Sequence, residues 1–149
     1  MNTDIEEALH REGLKLASVQ KRGKAFFIDE LLLSLLLIIA IGDSFFKAKT
    51  MEEIIVLTNK FTLEYIAVKI IYQAFFIMQY GATIGKIVMK IRVINAKTLQ
   101  KPDVLVSLNR SFVRVISEML FYLGFIWGTM DLLRQTWHDK SAKTLVVDA

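Results

Sequence analysis

The run Leu31-Leu-Leu-Ser-Leu-Leu-Leu-Ile-Ile-Ala-Ile41 constrains this chain more than any other feature. Only Ser34 within it has a polar side chain to offer water. A helix on the surface of a soluble protein keeps a polar face, and this one has none. The run therefore reads as the centre of a membrane-spanning helix. A span needs about 20 mostly apolar residues to cross about 30 Å of hydrocarbon. Three stretches of the chain are long enough: 25–46, 61–82 and 111–133. The competing reading is a soluble bundle of three buried helices, and the missing polar face weighs against it.

Composition agrees once its distribution is considered. Hydrophobic residues make up 54% of the 149 and charged residues 23%. The charges crowd into 1–24, 84–114 and 134–149, outside the apolar stretches. The absence of cysteine excludes a disulfide scaffold, an iron–sulfur centre and thiolate zinc. We read 1–149 as a single membrane domain. Its parts are a cytosolic arm (1–24), span 1 (25–46), span 2 (61–82), a basic cytosolic loop (84–110), hydrophobic segment 3 (111–133) and a tail (134–149). Span 1 is not read as a cleaved signal, because a polar arm with Asp4, Glu6, Glu7 and Glu12 precedes it and no small-residue cleavage box follows. Within the arm, Glu6–Val19 is expected to form an amphipathic surface helix, with Leu9, Leu14 and Leu16 on one side.

Orientation follows from the placement of Lys and Arg. The arm carries Arg11, Lys15, Lys21, Arg22 and Lys24, whereas the loop 43–60 carries only Lys47, Lys49 and Lys60. The stretch 84–114 is richer still, with Lys86, Lys90, Arg92, Lys97, Lys101, Arg110 and Arg114. The N terminus is therefore expected in the cytosol of a multi-pass protein of the cytoplasmic (inner) cell membrane. Segment 3 is the difficulty. A single crossing would put Arg134, Lys140 and Lys143 outside, so we favour a re-entrant hairpin that breaks near Gly124. The run Lys90-Ile-Arg-Val-Ile-Asn95 alternates with period two, as a strand does, and Thr144-Leu-Val-Val147 is a second β-branched run. Pairing them requires the tail to return to the cytosol. The expected fold is all-α integral membrane: two transmembrane helices, a third re-entrant hydrophobic segment, and a small cytosolic β element.

Several chemistries fail on inspection. Gly81-Ala-Thr-Ile-Gly-Lys86 is one residue short of a phosphate loop, and Ile87 stands where that loop needs Ser or Thr. His10 and His138 are the two histidines, too few for a metal site without cysteine. No nucleophile elbow is present. No enzyme, cofactor or metal is expected. The net charge of +4 could suggest nucleic acid. The basic residues flank apolar segments, however, so anionic lipid headgroups are the simpler partner. Gly81 with Gly85 and Gly124 with Gly128 form small-xxx-small pairs, expected to let helices pack closely.

Charges near or inside the apolar stretches carry the functional reading, because each costs about 2.5–3.5 kcal/mol at a helix centre. Asp29 and Glu30 lie about one turn into span 1. Arg22 precedes Asp29 by seven residues, on the same face but roughly 10 Å away. Lys69 is expected to snorkel toward the outer surface. Arg110, Arg114 and Glu118 recur at spacing four, so Arg114 and Glu118 can pair. These groups are either glue between helices or part of a path for cations or protons.

The residues also carry a resemblance. Arg22-Gly-Lys-Ala-Phe-Phe-Ile-Asp29, Gly81-Ala-Thr-Ile-Gly-Lys86 with the strand-like run after it, Asn109-Arg-Ser-Phe-Val-Arg114, and Arg134-Gln-Thr-Trp-His-Asp-Lys-Ser-Ala-Lys-Thr144 occur in that order. Together they resemble the RDD family of small bacterial membrane proteins, named for one arginine and two aspartates. The likeness covers most of the chain, with Lys143 standing where a glycine is often found. It implies that Arg22, Asp29 and Asp139 are the named positions, and it implies no single activity. Some members are proposed to exchange sodium or other monovalent cations for protons. On this basis Arg22 is expected to pair with Asp139 at the cytosolic rim, and Asp29 to pair with Arg110 or Arg114. Two functions follow: cation or proton transport as a homo-oligomer, or a non-catalytic subunit or assembly factor of a larger membrane complex.

Overall fold

The computed structural model describes residues 2–149. In chain order the elements are α1 (Asn2–Arg11), α2 (Val19–Lys47), α3 (Met51–Tyr80), α4 (Ile84–Val88), β1 (Ile91–Asn95), α5 (Val104–Met119), α6 (Leu123–Met130), α7 (Trp137–Ala142) and β2 (Thr144–Asp148). Two of the helices, α2 and α3, are long and apolar enough to cross a membrane. At 1.5 Å per residue each is about 44 Å long, more than the hydrocarbon requires.

The caps show why the elements begin where they do. Ser18 opens α2 by accepting a hydrogen bond from the Lys21 amide at 3.2 Å. Thr50 opens α3 by accepting from the Glu53 amide at 3.2 Å. The hairpin between the two spans is thereby only three residues long. The second span helix starts ten residues before the apolar stretch at Phe61, because Glu52, Glu53, Asn59 and Lys60 interrupt hydropathy without interrupting the helix. At the other end of the chain's helical layer, Asp103 opens α5 by accepting from the Val106 amide at 2.8 Å.

The sheet has two strands. β1 pairs antiparallel with β2, in the register Ile91↔Asp148 to Asn95↔Thr144. Leu16 adds an isolated bridge to Val147. Period-two alternation then splits the apolar side chains between two faces. Ile91, Val93 and Val146 meet Ala17, Ala25 and Ile77 on the helical side. Ile94, Leu145 and Val147 meet Leu9 and Leu133 on the other, beneath Ile5, Leu14 and Leu16. The amphipathic arm helix is shorter than expected. It ends at Arg11 because Gly13 turns at φ +65°, and the chain then runs extended to the sheet.

Segment 3 is a bent pair of helices whose flanking strands meet in one sheet. β1 precedes it and β2 follows it, and the two are hydrogen-bonded neighbours. Both ends of 104–133 therefore lie in one layer. Helices α5 and α6 are bent by 105° at the break between them. The break lies near Gly124, as expected, in the three residues between Met119 and Leu123. Phe121 and Tyr122 take left-handed φ values of 54° and 60°. Gly124 lies inside α6, where an added Cβ would come within 3.0 Å of both Ser117 Cβ and Trp137 Cβ.

Burial in the helical layer runs opposite to that of a soluble protein. On α5 the buried side chains are Ser107, Arg110, Ser111, Arg114, Val115 and Ser117. Leu105, Leu108, Phe112 and Ile116 face outward. Between Leu33 and Lys69 no residue is buried, so the distal part of the α2–α3 hairpin has no core of its own.

Candidate functional site

Asp139 sits three residues into the capping turn of α7 and is fully buried. Its Oδ2 accepts from the Thr136 amide at 3.1 Å and from the Thr136 hydroxyl at 2.7 Å. These bonds fix the carboxylate as part of the helix start. Two arginines then reach it from different helices. Arg110 on α5 donates to Oδ1 through Nη2 at 2.6 Å and Nε at 3.1 Å. Arg22, in the first turn of α2, pairs with Oδ2 through Nη2. Arg22 also donates through Nη1 to the Arg134 carbonyl, and Arg134 donates to the carbonyls of Leu16 and Ala17 at 3.1 and 3.2 Å. One carboxylate thus ties the start of α2 to α5 and α7. Burial alone would push the Asp139 carboxyl up; Arg22 and Arg110 outweigh that and hold it well below its usual 3.8. The neighbouring His138 goes the other way. Burial holds its imidazole well below the usual 6.5, and the nearby arginines add to this. It is neutral and shares a hydrogen bond of 2.9 Å between Nε2 and Thr136 Oγ1.

Asp29 has a different environment from the one the sequence suggests. It pairs with neither Arg110 nor Arg114. Its Oδ1 accepts from the Tyr72 hydroxyl and the Gly85 amide, both at 2.8 Å, and its Oδ2 accepts from the Thr83 hydroxyl at 2.7 Å. The Ile84 amide in turn donates to the Tyr72 oxygen at 3.1 Å. Asp29 therefore supplies, from α2, the anion at the N-terminus of α4 that Thr83 does not cap itself. Neutral donors are enough here because several of them converge on one carboxylate. Gly85 permits this approach: a Cβ there would collide with the Ala25 carbonyl oxygen and lie 2.9 Å from the Asp29 carboxyl.

Deeper in the helices, Lys69 is not directed to the outer surface. It is 7% exposed and lies between two carboxylates. Glu30 Oε1 is 2.9 Å from its Nζ, and Glu118 Oε2 is paired with the same nitrogen. Glu118 also meets Arg114 Nε at 3.1 Å, the pair expected from their spacing on one helix. The Arg114 guanidinium lies over the rings of Phe26 and Phe125, 5.1 and 5.9 Å from their centroids. The attraction of Glu30 and Glu118 exceeds what snorkelling would gain, because ion pairs strengthen as the dielectric falls.

The glycines divide by role. Gly81 ends α3 in a left-handed cap at φ +71° rather than lying in a helix face. Gly85, Gly124 and Gly128 sit where a Cβ would meet Ala25, Ser117 and Thr136 respectively. Among the described residues, no group of three His, Cys, Asp or Glu gathers to hold a metal.

Sequence reasoning paired Arg22 with Asp139 and Arg114 with Glu118, as the structure does; it did not place Arg110 on Asp139, and it missed the parts played by Tyr72, Thr83, Thr136 and Lys86. Thr136-Trp-His-Asp139 has the spacing of a capping box and was the one signal available for that turn. Neither a curated protein nor a solved structure matches the chain. The model of the RDD family does match, over residues 16–143. That stretch runs from the Leu16 bridge to the residue before β2 and takes in Arg22, Asp29 and Asp139. With an arginine and two aspartates at the centres of these buried networks, the chain belongs to the RDD family of membrane proteins.

Proposed function

We propose that this chain is a non-catalytic subunit or assembly factor of a larger complex in the cell membrane, with its arm and sheet in the cytosol. The observation that carries this reading is where the polar track stops. Buried polar groups run from Asp139 through Arg110 and Asp29 to Lys69. Beyond Lys69 and Glu30, among the described residues, no buried polar residue occurs between Ser34 and Val68. A carrier must offer an ion partners across the whole barrier, and one chain offers them over only part of it. The carboxylates on the track are already engaged: Asp29 by three donors, and Asp139 by two arginines and Thr136. The excess of Lys and Arg in 1–24 and 84–114 over 43–60 supports the cytosolic assignment of the sheet.

Cation or proton transport by a homo-oligomer is the second reading. It is favoured by Lys69 held between Glu30 and Glu118 among apolar side chains. It requires a second copy to continue the track. The two readings separate in one preparation. The tagged protein is isolated in mild detergent, and co-eluting proteins are identified by mass spectrometry. A stoichiometric membrane partner is expected. Self-association without such a partner, together with sodium-dependent proton flux in liposomes that Asp29→Asn abolishes, overturns the subunit reading.

A further inference from the structure

A cavity of about 280 Å³ opens between the start of α2, α4, α5, α6 and α7. Its wall contains four cationic side chains, Arg22, Lys86, Arg110 and Arg114, and no carboxylate. Three of these four are at most 7% exposed. Apolar rings from Phe26 and Phe125 complete one side, and the exposed Val19 and Ile126 stand at its edge.

The cations are unequally satisfied. Asp139 engages Arg22 and Arg110. Lys86 has no carboxylate within ion-pair distance among the described residues. Its Nζ donates only to the Thr83 hydroxyl, at 3.3 Å, and that hydroxyl is itself committed to Asp29. Arg114 Nη2 is buried without a hydrogen bond, and Glu30 Oε1 lies 3.8 Å from it. Two buried donors on residues that line one cavity are thus short of acceptors, a costly arrangement unless something else supplies them.

The charges around the cavity also fail to balance. Arg22 and Arg110 share the single carboxylate of Asp139, so one positive charge is left over at the cavity wall. Lys69 and Arg114 are matched by Glu30 and Glu118, and Lys86 reaches Asp29 only through the Thr83 hydroxyl. Burial, then the charges of Arg114 and Arg110, push the Lys86 ammonium well below its usual 10.5. A bound anion would offset both effects.

We infer that this cavity binds a singly charged phosphate group, as carried by an anionic phospholipid headgroup or by free inorganic phosphate, with Lys86 and Arg114 as its principal donors. Arginine and lysine lining one pocket form the usual chemistry for a phosphate oxygen. The Phe26 and Phe125 rings provide an apolar wall that suits the glycerol and acyl chain of a lipid. A chloride-sized ion would leave most of the cavity empty. This inference holds whether the chain is a subunit or a transporter.

The test uses the full chain in detergent, delipidated and then exposed to three probes: phosphatidylglycerol, phosphatidylcholine and inorganic phosphate. Native mass spectrometry counts retained lipid, and thermal unfolding reads stabilisation by phosphate. Two variants challenge the site without removing an ion pair. Lys86→Met deletes the least satisfied cation. Gly23→Asp places a carboxylate at the cavity wall, where a Cβ meets nothing within 4 Å. Lys86→Arg keeps the charge, and Lys97→Met in the exposed turn after β1 is the control. The wild type should retain one phosphatidylglycerol per chain in preference to phosphatidylcholine. Retention should weaken about tenfold in Lys86→Met, for one charged hydrogen bond lost, and comparably in Gly23→Asp, where the added carboxylate repels the phosphate. It should be preserved in Lys86→Arg and Lys97→Met. Stabilisation by inorganic phosphate with the same variant pattern, and no lipid preference, supports the site and assigns its anion to solution. Binding of neither anion, or binding equal in wild type and both challenge variants, overturns the inference.

Discussion

The two ends of this molecule obey opposite burial rules. Around the sheet, the buried side chains are Ile91, Val93, Ile94, Leu145, Val146 and Val147, as in a water-soluble domain. Among the helices, Asp29, Lys69, Arg110, Arg114 and several serines are buried, while Leu35, Ile39, Leu105 and Phe112 face outward. Helix α5 shows the inversion within a single element. Its serine and arginine face packs against α3 and α7, and its leucine and phenylalanine face points away. The solvent decides which surface is hidden. In water, apolar area drives burial. In lipid that drive is absent, and helices associate through close packing, hydrogen bonds and ion pairs. The comparison therefore predicts that different kinds of substitution should injure the two ends.

The largest expected effect is at the junction of the two regions. Asp139→Asn leaves Arg22 and Arg110 buried without their counter-charge and should cost about 3–5 kcal/mol. Unfolding in detergent, followed by far-ultraviolet circular dichroism, measures this. A loss below about 1 kcal/mol would show that the arginines find other partners. Next comes the sheet core. Leu145→Ala, at a fully buried position, should cost about 2–4 kcal/mol, because apolar contacts are lost and a cavity remains.

A smaller effect should follow pH. The unfolded His138 takes up a proton near its usual 6.5, whereas the folded imidazole stays neutral. The unfolded state then binds more protons. Stability should fall as pH drops below about 6.5, by at most about 1.4 kcal/mol per unit. Asp139 behaves separately. Its lowered value adds stability above 3.8, which is lost only as pH falls further, through the folded value. A melting series between pH 7.5 and roughly 5 isolates the histidine, and His138→Gln should flatten it. The smallest effect belongs to the outer face of α2. Leu36→Ala, at a position 52% exposed, should change stability by no more than about 0.5 kcal/mol. A loss as large as that at Leu145 would mean that the hairpin face is packed against protein rather than detergent.

Much of the scaffold is legible in the residues themselves. An apolar run as long as Leu31–Ile41 admits few structures, and the alternating run around Arg92 pairs with the β-branched run around Val146. The Arg114–Glu118 pair follows from spacing on one helix. The partner of Asp29 does not follow from the sequence. A carboxylate is satisfied by an arginine or by several hydroxyls and amides, and only the approach of α4 to α2 decides between them. Lys69 was misread for a related reason. Its position less than halfway into the apolar stretch from Phe61 suggests snorkelling, but Glu30 and Glu118 come from two other helices. The break at Phe121 and Tyr122 is set by tertiary packing, since neither residue favours positive φ, whereas Gly124 does. Helix α7 is only six residues long, too short for periodicity to register.

The pairing of Arg22 with Asp139 also has a meaning for biosynthesis. The two residues are 117 positions apart. An arginine at the entrance of the first span is thus made and inserted long before the carboxylate that neutralises it exists. Until then its charge is met by water and lipid headgroups at the cytosolic rim, and burial waits for its partner. Only when α7 emerges can the charge be handed over and β2 close on β1. The ion pair that ties α2 to α7 can therefore close only after almost the whole chain has been made.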